Sequence, residues 1–205
     1  MKKLLIFTLC MAATLAFGAT VGTDTAANYA SDGFTNGANQ GTGFQAWNIF
    51  ADGNGNTFLG DSTDGNCGDI NTSNQSFGMW GNGDSGDNYI NCFRQFAGGA
   101  LSMGQSFSVK IGVNYRNGNK GLDLLANGVS VYNLNVGSDD YVYEDKINGS
   151  GSVSFGWDYA AASIIEVKVT QGNAGVLTQA VVEVTRYTNS VSAQSVANST
   201  DMQTF

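Results

Sequence analysis

Residues 106–116, SFSVKIGVNYR, alternate without a break: Phe107, Val109, Ile111, Val113 and Tyr115 fall on one face, and Ser108, Lys110, Gly112 and Asn114 on the other. A period of two sustained this long is that of a strand with one buried face. From Gly43 onward, short runs rich in Val, Ile, Phe, Tyr and Trp alternate with turn clusters, and no long helical period occurs. GLDLLANGVSVYNLNV reads as a hairpin turning at Asn127-Gly128, a type I′ pair. YVYEDKI and GSVSFGW bracket a turn at Asn148-Gly149, while SIIEVKVTQ and AVVEVTRY place Ile165, Val167 and Val169, then Val182, Val184 and Arg186, on single faces. FQAWNIF, SFGMW and NCFRQF are the earlier strand candidates, and DYAAAS is the best site for a turn or two of helix. The chain contains no Pro and 28 Gly, so its turns rest on Gly and Asn. About nine or ten strands at such spacing predict an all-β protein, two antiparallel sheets packed as a jelly-roll sandwich.

The first residues, MKKLLIFTLCMAATLAFG, have two lysines, an apolar run and small residues at its end, the layout of a secretory signal peptide cleaved after Gly18. The run is too short to span a bilayer comfortably, so residues 1–18 are expected to direct export to the cell surface or beyond, without membrane insertion after their removal. Residues 19–42 are small and polar and read as a flexible linker or a loose first strand; residues 43–205 form the sandwich domain. The chain stops at Phe205, which reads as the first core residue of a strand whose remainder is missing. A truncated domain, part of a larger polypeptide, is the expectation.

Loss of Lys2 and Lys3 leaves 7 basic against 17 acidic residues, a formal charge of −10. Such a surface repels phosphate backbones and anionic lipid, which disfavours nucleic acid and membrane-surface partners. Cys67 and Cys92 are the cysteines of the predicted mature chain. In an exported protein they are expected to pair, a bridge worth about 3.5 kcal/mol by chain entropy.

Residues 51–71, ADGNGNTFLGDSTDGNCGDIN, hold five Gly, four Asp and four Asn, and read as a long loop between the FQAWNIF and SFGMW strands. EF-hand registers from Asp52 or Asp64 fail, because the sixth place is Thr57 or Asp69 and the twelfth Thr63 or Gln75. An irregular calcium site is the remaining metal reading, with Asp61, Asp64, Asn66, Asp69 and Asn71 as ligands; the alternative is a turn cluster capped by its own Asx side chains.

Phe77, Trp80, Phe93, Arg94, Phe96, Leu101, Gly104, Gln105, Phe107, Gly121, Leu122, Leu124 and Gly128 form a pattern across residues 44–187. It resembles largely uncharacterised secreted bacterial domains with a concanavalin/laminin-G-like jelly roll. The resemblance implies that fold and an extracellular accessory role, and carries no catalytic residue across.

The absence of His removes Ser-His-Asp and Cys-His catalysis and His-ligated metals. Glu144, Glu166 and Glu183 lack the spacing of a glycosidase pair on one strand. Aromatic faces flanked by amides and carboxylates are the means by which such a fold holds sugars; Tyr89 with Asp84 and Asp87, and Trp47, are the candidates. The expected function is therefore a non-catalytic module that binds polysaccharide or cell-surface glycan, or mediates adhesion. A polysaccharide-active hydrolase or lyase with an unconventional carboxylate pair, and a structural surface-layer subunit, are the alternatives.

Overall fold

The computed structural model describes residues 20–31, 33–82, 88–115, 118–137, 140–172, 179–188 and 192–201; the predicted leader lies outside them. Among these residues are a short 3-10 turn, Ala26–Tyr29, and twelve strands: β1 Asn48–Asp52, β2 Gly55–Gly60, β3 Ser76–Gly81, β4 Tyr89–Phe93, β5 Ser106–Gly112, β6 Gly121–Ala126, β7 Val129–Gly137, β8 Asp140–Asp145, β9 Ser152–Asp158, β10 Ile164–Gln171, β11 Gln179–Thr188 and β12 Ser192–Asp201. All pairings are antiparallel. The protein is all-β, as its alternation predicts. DYAAAS is a turn between β9 and β10.

Two four-stranded sheets form the sandwich, ordered β6-β7-β8-β9 and β12-β11-β10-β5. Tyr132, Leu134 and Val136 of the first sheet meet Val167, Val169, Val182 and Val184 of the second in one buried core. Phe107, Val109, Ile111 and Val113 pack onto it as the alternation requires, whereas Tyr115 is 70% exposed beyond the strand end. Neighbouring strands are consecutive in the chain except where β5 pairs with β10. The chain thus lays down β5, crosses to build the whole opposing meander, and returns beside it; these pairings establish a sandwich but not a jelly-roll order.

Local rules account for the connections. Asn127 and Gly128 have φ of 51° and 79°, the left-handed pair a type I′ turn needs. At the next hairpin the Asp145 carboxylate accepts bonds from the Ile147 and Asn148 amides and from the Asn148 side chain. Arg186 does share the face of Val182 and Val184. Its guanidinium lies 5.2 Å from the Trp157 ring and 5.8 Å from that of Tyr141, closing the core with a cation–π contact.

Candidate functional site

The first four strands form a second unit, and their register shows what it is. Asn48 opposes Phe93 and Asp52 opposes Tyr89, while Gly55 opposes Gly81 and Gly60 opposes Ser76. β1 and β2 therefore run on as one arm of a long hairpin whose other arm is β3 and β4. Residues 51–60, expected as loop, are mostly strand; the true loop is the hairpin tip, residues 61–75, closed by the Thr72–Gln75 bridge.

This hairpin is folded back on itself. In a straight ribbon the Leu59–Phe77 pair would stand about 40 Å from Trp47, at about 3.3 Å per residue. Instead the Trp47 and Phe77 rings lie 5.6 Å apart, and Phe34 touches both, at 5.1 Å from Trp47 and 4.8 Å from Phe77. The ribbon bends between Asp52 and Gly55. Gly53 takes a φ of 67° there, and the Asn88 side chain accepts the Asn54 amide at 2.7 Å. Both ends of the doubled ribbon reach β5. The tip loop lays the Cys67 backbone against Gly112, where a Cβ would collide with the Cys67 carbonyl. From the base, Phe96 packs edge-on to Phe107 at 5.7 Å.

The filling between the two halves comes from the segment expected as a linker. Ala26, Tyr29 and Phe34 are buried, so residues 20–31 and 33–42 are an integral layer, a correction to the linker reading. At the centre stands Arg94, only 6% exposed and paired with the Asp24 carboxylate. Its Nε donates to the Gln45 carbonyl at 2.6 Å and its Nη2 to Asn39 Oδ1 at 2.8 Å and the Gln40 carbonyl at 2.9 Å. Nη1 also donates to the Tyr29 hydroxyl at 2.8 Å, and the guanidinium lies 5.1 Å from the Phe44 ring and 5.2 Å from that of Trp47. The buried charge is thus paired and its donors are used, the condition under which such a group is tolerated.

Burial, with help from its hydrogen bond to Asp24, pushes the Tyr29 hydroxyl up to about 12. The unfolded chain then ionises first as pH rises, so this contribution is complete below pH 10 and is lost between 10 and about 12. Followed by Trp47 fluorescence, the ribbon is expected to loosen across that alkaline window, and Tyr29→Phe to flatten the pH dependence there.

Trp47 donates its indole N–H to the Tyr29 hydroxyl at 3.0 Å and packs within this cluster, so it is a structural ring, not an open sugar platform. Asp84 and Asp87 lie outside the described residues. Tyr89 is 38% exposed on the outer face of β4. Trp157, at 6% exposure, is core, but Trp80 is 42% exposed on the outer face of the ribbon.

The acidic tip loop is organised from within. Asp61 Oδ1 accepts the Thr63 amide and hydroxyl at 2.8 and 2.6 Å and the Asn71 side-chain amide at 2.6 Å. The Thr63 hydroxyl, its amide and Asn71 hold the Asp61 carboxyl below its ordinary value. Asn71 Oδ1 takes the Ser62 amide at 2.9 Å, and Asp69 takes the Asn71 amide at 3.1 Å. Asp64 and Asn66 are exposed on the same loop. Among the described residues no group of three or more acidic or Cys side chains is placed to hold a metal ion.

Cys67 and Cys92 are free thiols, which corrects the expected disulfide. Cys67 lies in the tip loop against β5, while Cys92 opposes Ile49 within the β1–β4 ribbon. Backbone packing on Gly112, not a covalent bridge, fastens the loop. Burial raises both thiols, Cys92 to about 11. Denatured without reductant, both are expected to take up iodoacetamide fully, read as two added groups by mass; no uptake would restore the bridge.

The glutamates do not come together. Glu166 and Glu183 stand on the outer face of one sheet, where Glu166 accepts the Tyr187 hydroxyl at 2.9 Å and Glu183 meets Lys168 at 3.3 Å. Glu144 alternates with core-facing Tyr143 and Asp145 on the other sheet, so the core separates it from both.

The outer face of the β1–β4 half is the feature with a binding character. Each cross-strand pair joins an aromatic ring to a polar side chain: Asn48 with Phe93, Phe50 with Asn91, Asp52 with Tyr89. All six are exposed, and the Phe50 and Tyr89 rings lie 5.8 Å apart. Beside Phe93 and Asn48 a pocket of about 180 Å³ is lined also by Gln45, Ala46, Arg94 and Gln95. That is below the roughly 300–1,000 Å³ of drug-sized sites. No protein family, curated protein or solved structure matches the chain.

Proposed function

We propose that the chain is an exported, non-catalytic β-sandwich module that binds neutral polysaccharide along the outer face of β1 and β4. The observation that carries this reading is the one-to-one pairing of ring with amide or carboxylate. Rings supply apolar faces for the C–H faces of sugars, and Asn48, Asn91 and Asp52 supply donors and acceptors for hydroxyls on either side. The six paired residues include no Lys or Arg, Arg94 of the adjoining pocket is already paired with Asp24, and the chain has a net charge of −8, so a polyanionic glycan would meet no free counter-charge and an adverse field. The small pocket by Phe93 suits one sugar unit or a branch. The leader-like first 18 residues agree with a ligand met outside the cell.

The test is retention on immobilised arabinoxylan, galactomannan, mixed-linkage β-glucan, α-glucan and, as an anionic control, pectate, each with calcium and with chelator. Retention by at least one neutral polymer and not by pectate is expected; no retention on any would remove the reading. Calcium is proposed for the tip loop, and chelator-sensitive binding would tie that loop to the ligand.

A further inference from the structure

The other half of the ribbon also exposes aromatic rings on its outer face, one of them paired with an amide. Trp80 opposes Asn56, and Phe58 opposes Gly78. A Cβ at Gly78 would collide with the Phe58 ring, so that ring lies on the glycine backbone with its other side open. Phe58 and Trp80 are 49% and 42% exposed. This face too lacks Lys and Arg. The hairpin is doubled over, with Trp47 and Arg94 of one half and Phe77 of the other all meeting Tyr29. The two inner faces therefore look toward each other, and the two outer faces look away.

We infer that the protein is bivalent: Phe50 and Tyr89 form one platform, Phe58 and Trp80 a second, and one molecule bridges two neutral polysaccharide chains. The inference rests on the polysaccharide reading above and adds to it a cross-linking role. One short ligand cannot lie on both faces, so the second site contributes by avidity on a polymer network.

The experiment coats beads with the neutral polymer that retains the protein best and adds the same polymer, soluble and fluorescently labelled. Protein-dependent capture of label is expected. The double variants Phe50→Ala with Tyr89→Ala, and Phe58→Ala with Trp80→Ala, are each expected to stay bound to the beads yet lose label capture about tenfold. Trp80→Gln alone serves where removing Phe58 loosens the fold, and unchanged melting certifies each variant. Full capture by either variant set would overturn bivalency, as would one set abolishing bead binding while the other changes nothing. Self-association that disappears in the variants would identify the faces as a homodimer interface and also overturn it. No retention of the parent protein on any neutral polymer removes the polysaccharide reading itself, and is distinct from retention without capture, which removes bivalency alone.

Discussion

Arg94→Ala is expected to cost about 3–5 kcal/mol, the usual result of removing one partner from a buried ion pair. Asp24, 8% exposed, would be left a buried carboxylate without its cation, the Gln45 carbonyl and Asn39 Oδ1 would lose the Arg94 donor, and the Gln40 carbonyl would keep only the Tyr29 hydroxyl. The Phe44 and Trp47 rings would lose the cation packed between them. Because the contacts of Arg94 all fall within residues 24–47, the loss should appear as early melting of the ribbon, reported by Trp47, ahead of the sandwich, reported by Trp157. Arg94→Lys keeps the charge but not the planar fork and is expected to recover only part of the loss. A single unshifted transition in Arg94→Ala would show that the guanidinium does not hold the doubled ribbon together.

Gly53→Ala is the second large effect, about 2–3 kcal/mol. A left-handed φ costs an L-residue about 1–2 kcal/mol, and Gly53 sits at 67°. Its new Cβ would collide with Asn88 Oδ1, the acceptor that pins the Asn54 amide across the bend, and loss of that bond adds about 0.5–1.5 kcal/mol. Gly98 has open space around it and no left-handed φ, so Gly98→Ala should change stability by no more than about 0.5 kcal/mol. Equal denaturation midpoints for the two variants would contradict the bend.

The sandwich was legible because its strands obey simple rules. The alternation of β5, the Asn127-Gly128 turn and the valine faces of β10 and β11 each specify their structure locally. Lys168 and Glu183 alternate with those valines and pair across the ladder on the outer face. The ribbon was harder to read because its order is not local. β2 is GNTFLG, whose two glycines and one asparagine signal turn; it is a strand because SFGMWG lies opposite. Tyr29 and Phe34 stand among small polar residues and look like linker, and they are buried only because the ribbon folds over them. Arg94 gives no sign of burial in NCFRQF, since its acceptors come from residues 24–45. Trp80 alternates like a core residue, but on a two-stranded ribbon only one face is covered. The cysteine pairing followed from export and even count, which say nothing about where a hairpin tip docks. One signal was present: polar and aromatic residues alternate in WNIFAD and YINCF, and antiparallel pairing of those two runs brings ring against amide or carboxylate at every outward position.

The most direct test of the account is made in a Trp80→Gln background that silences the second platform: the affinity of the Phe50→Ala, Tyr89→Ala double variant for the neutral oligosaccharide that the Trp80→Gln protein binds best, measured by calorimetry beside Trp47→Phe in the same background. Removing two stacked rings at about 0.5–1.5 kcal/mol each predicts a fall of about tenfold or more with unchanged melting. Trp47→Phe should lower the melting temperature and leave the affinity of the folded protein intact. Unchanged affinity in the double variant, with binding lost in folded Trp47→Phe, would contradict the assignment of the outer face.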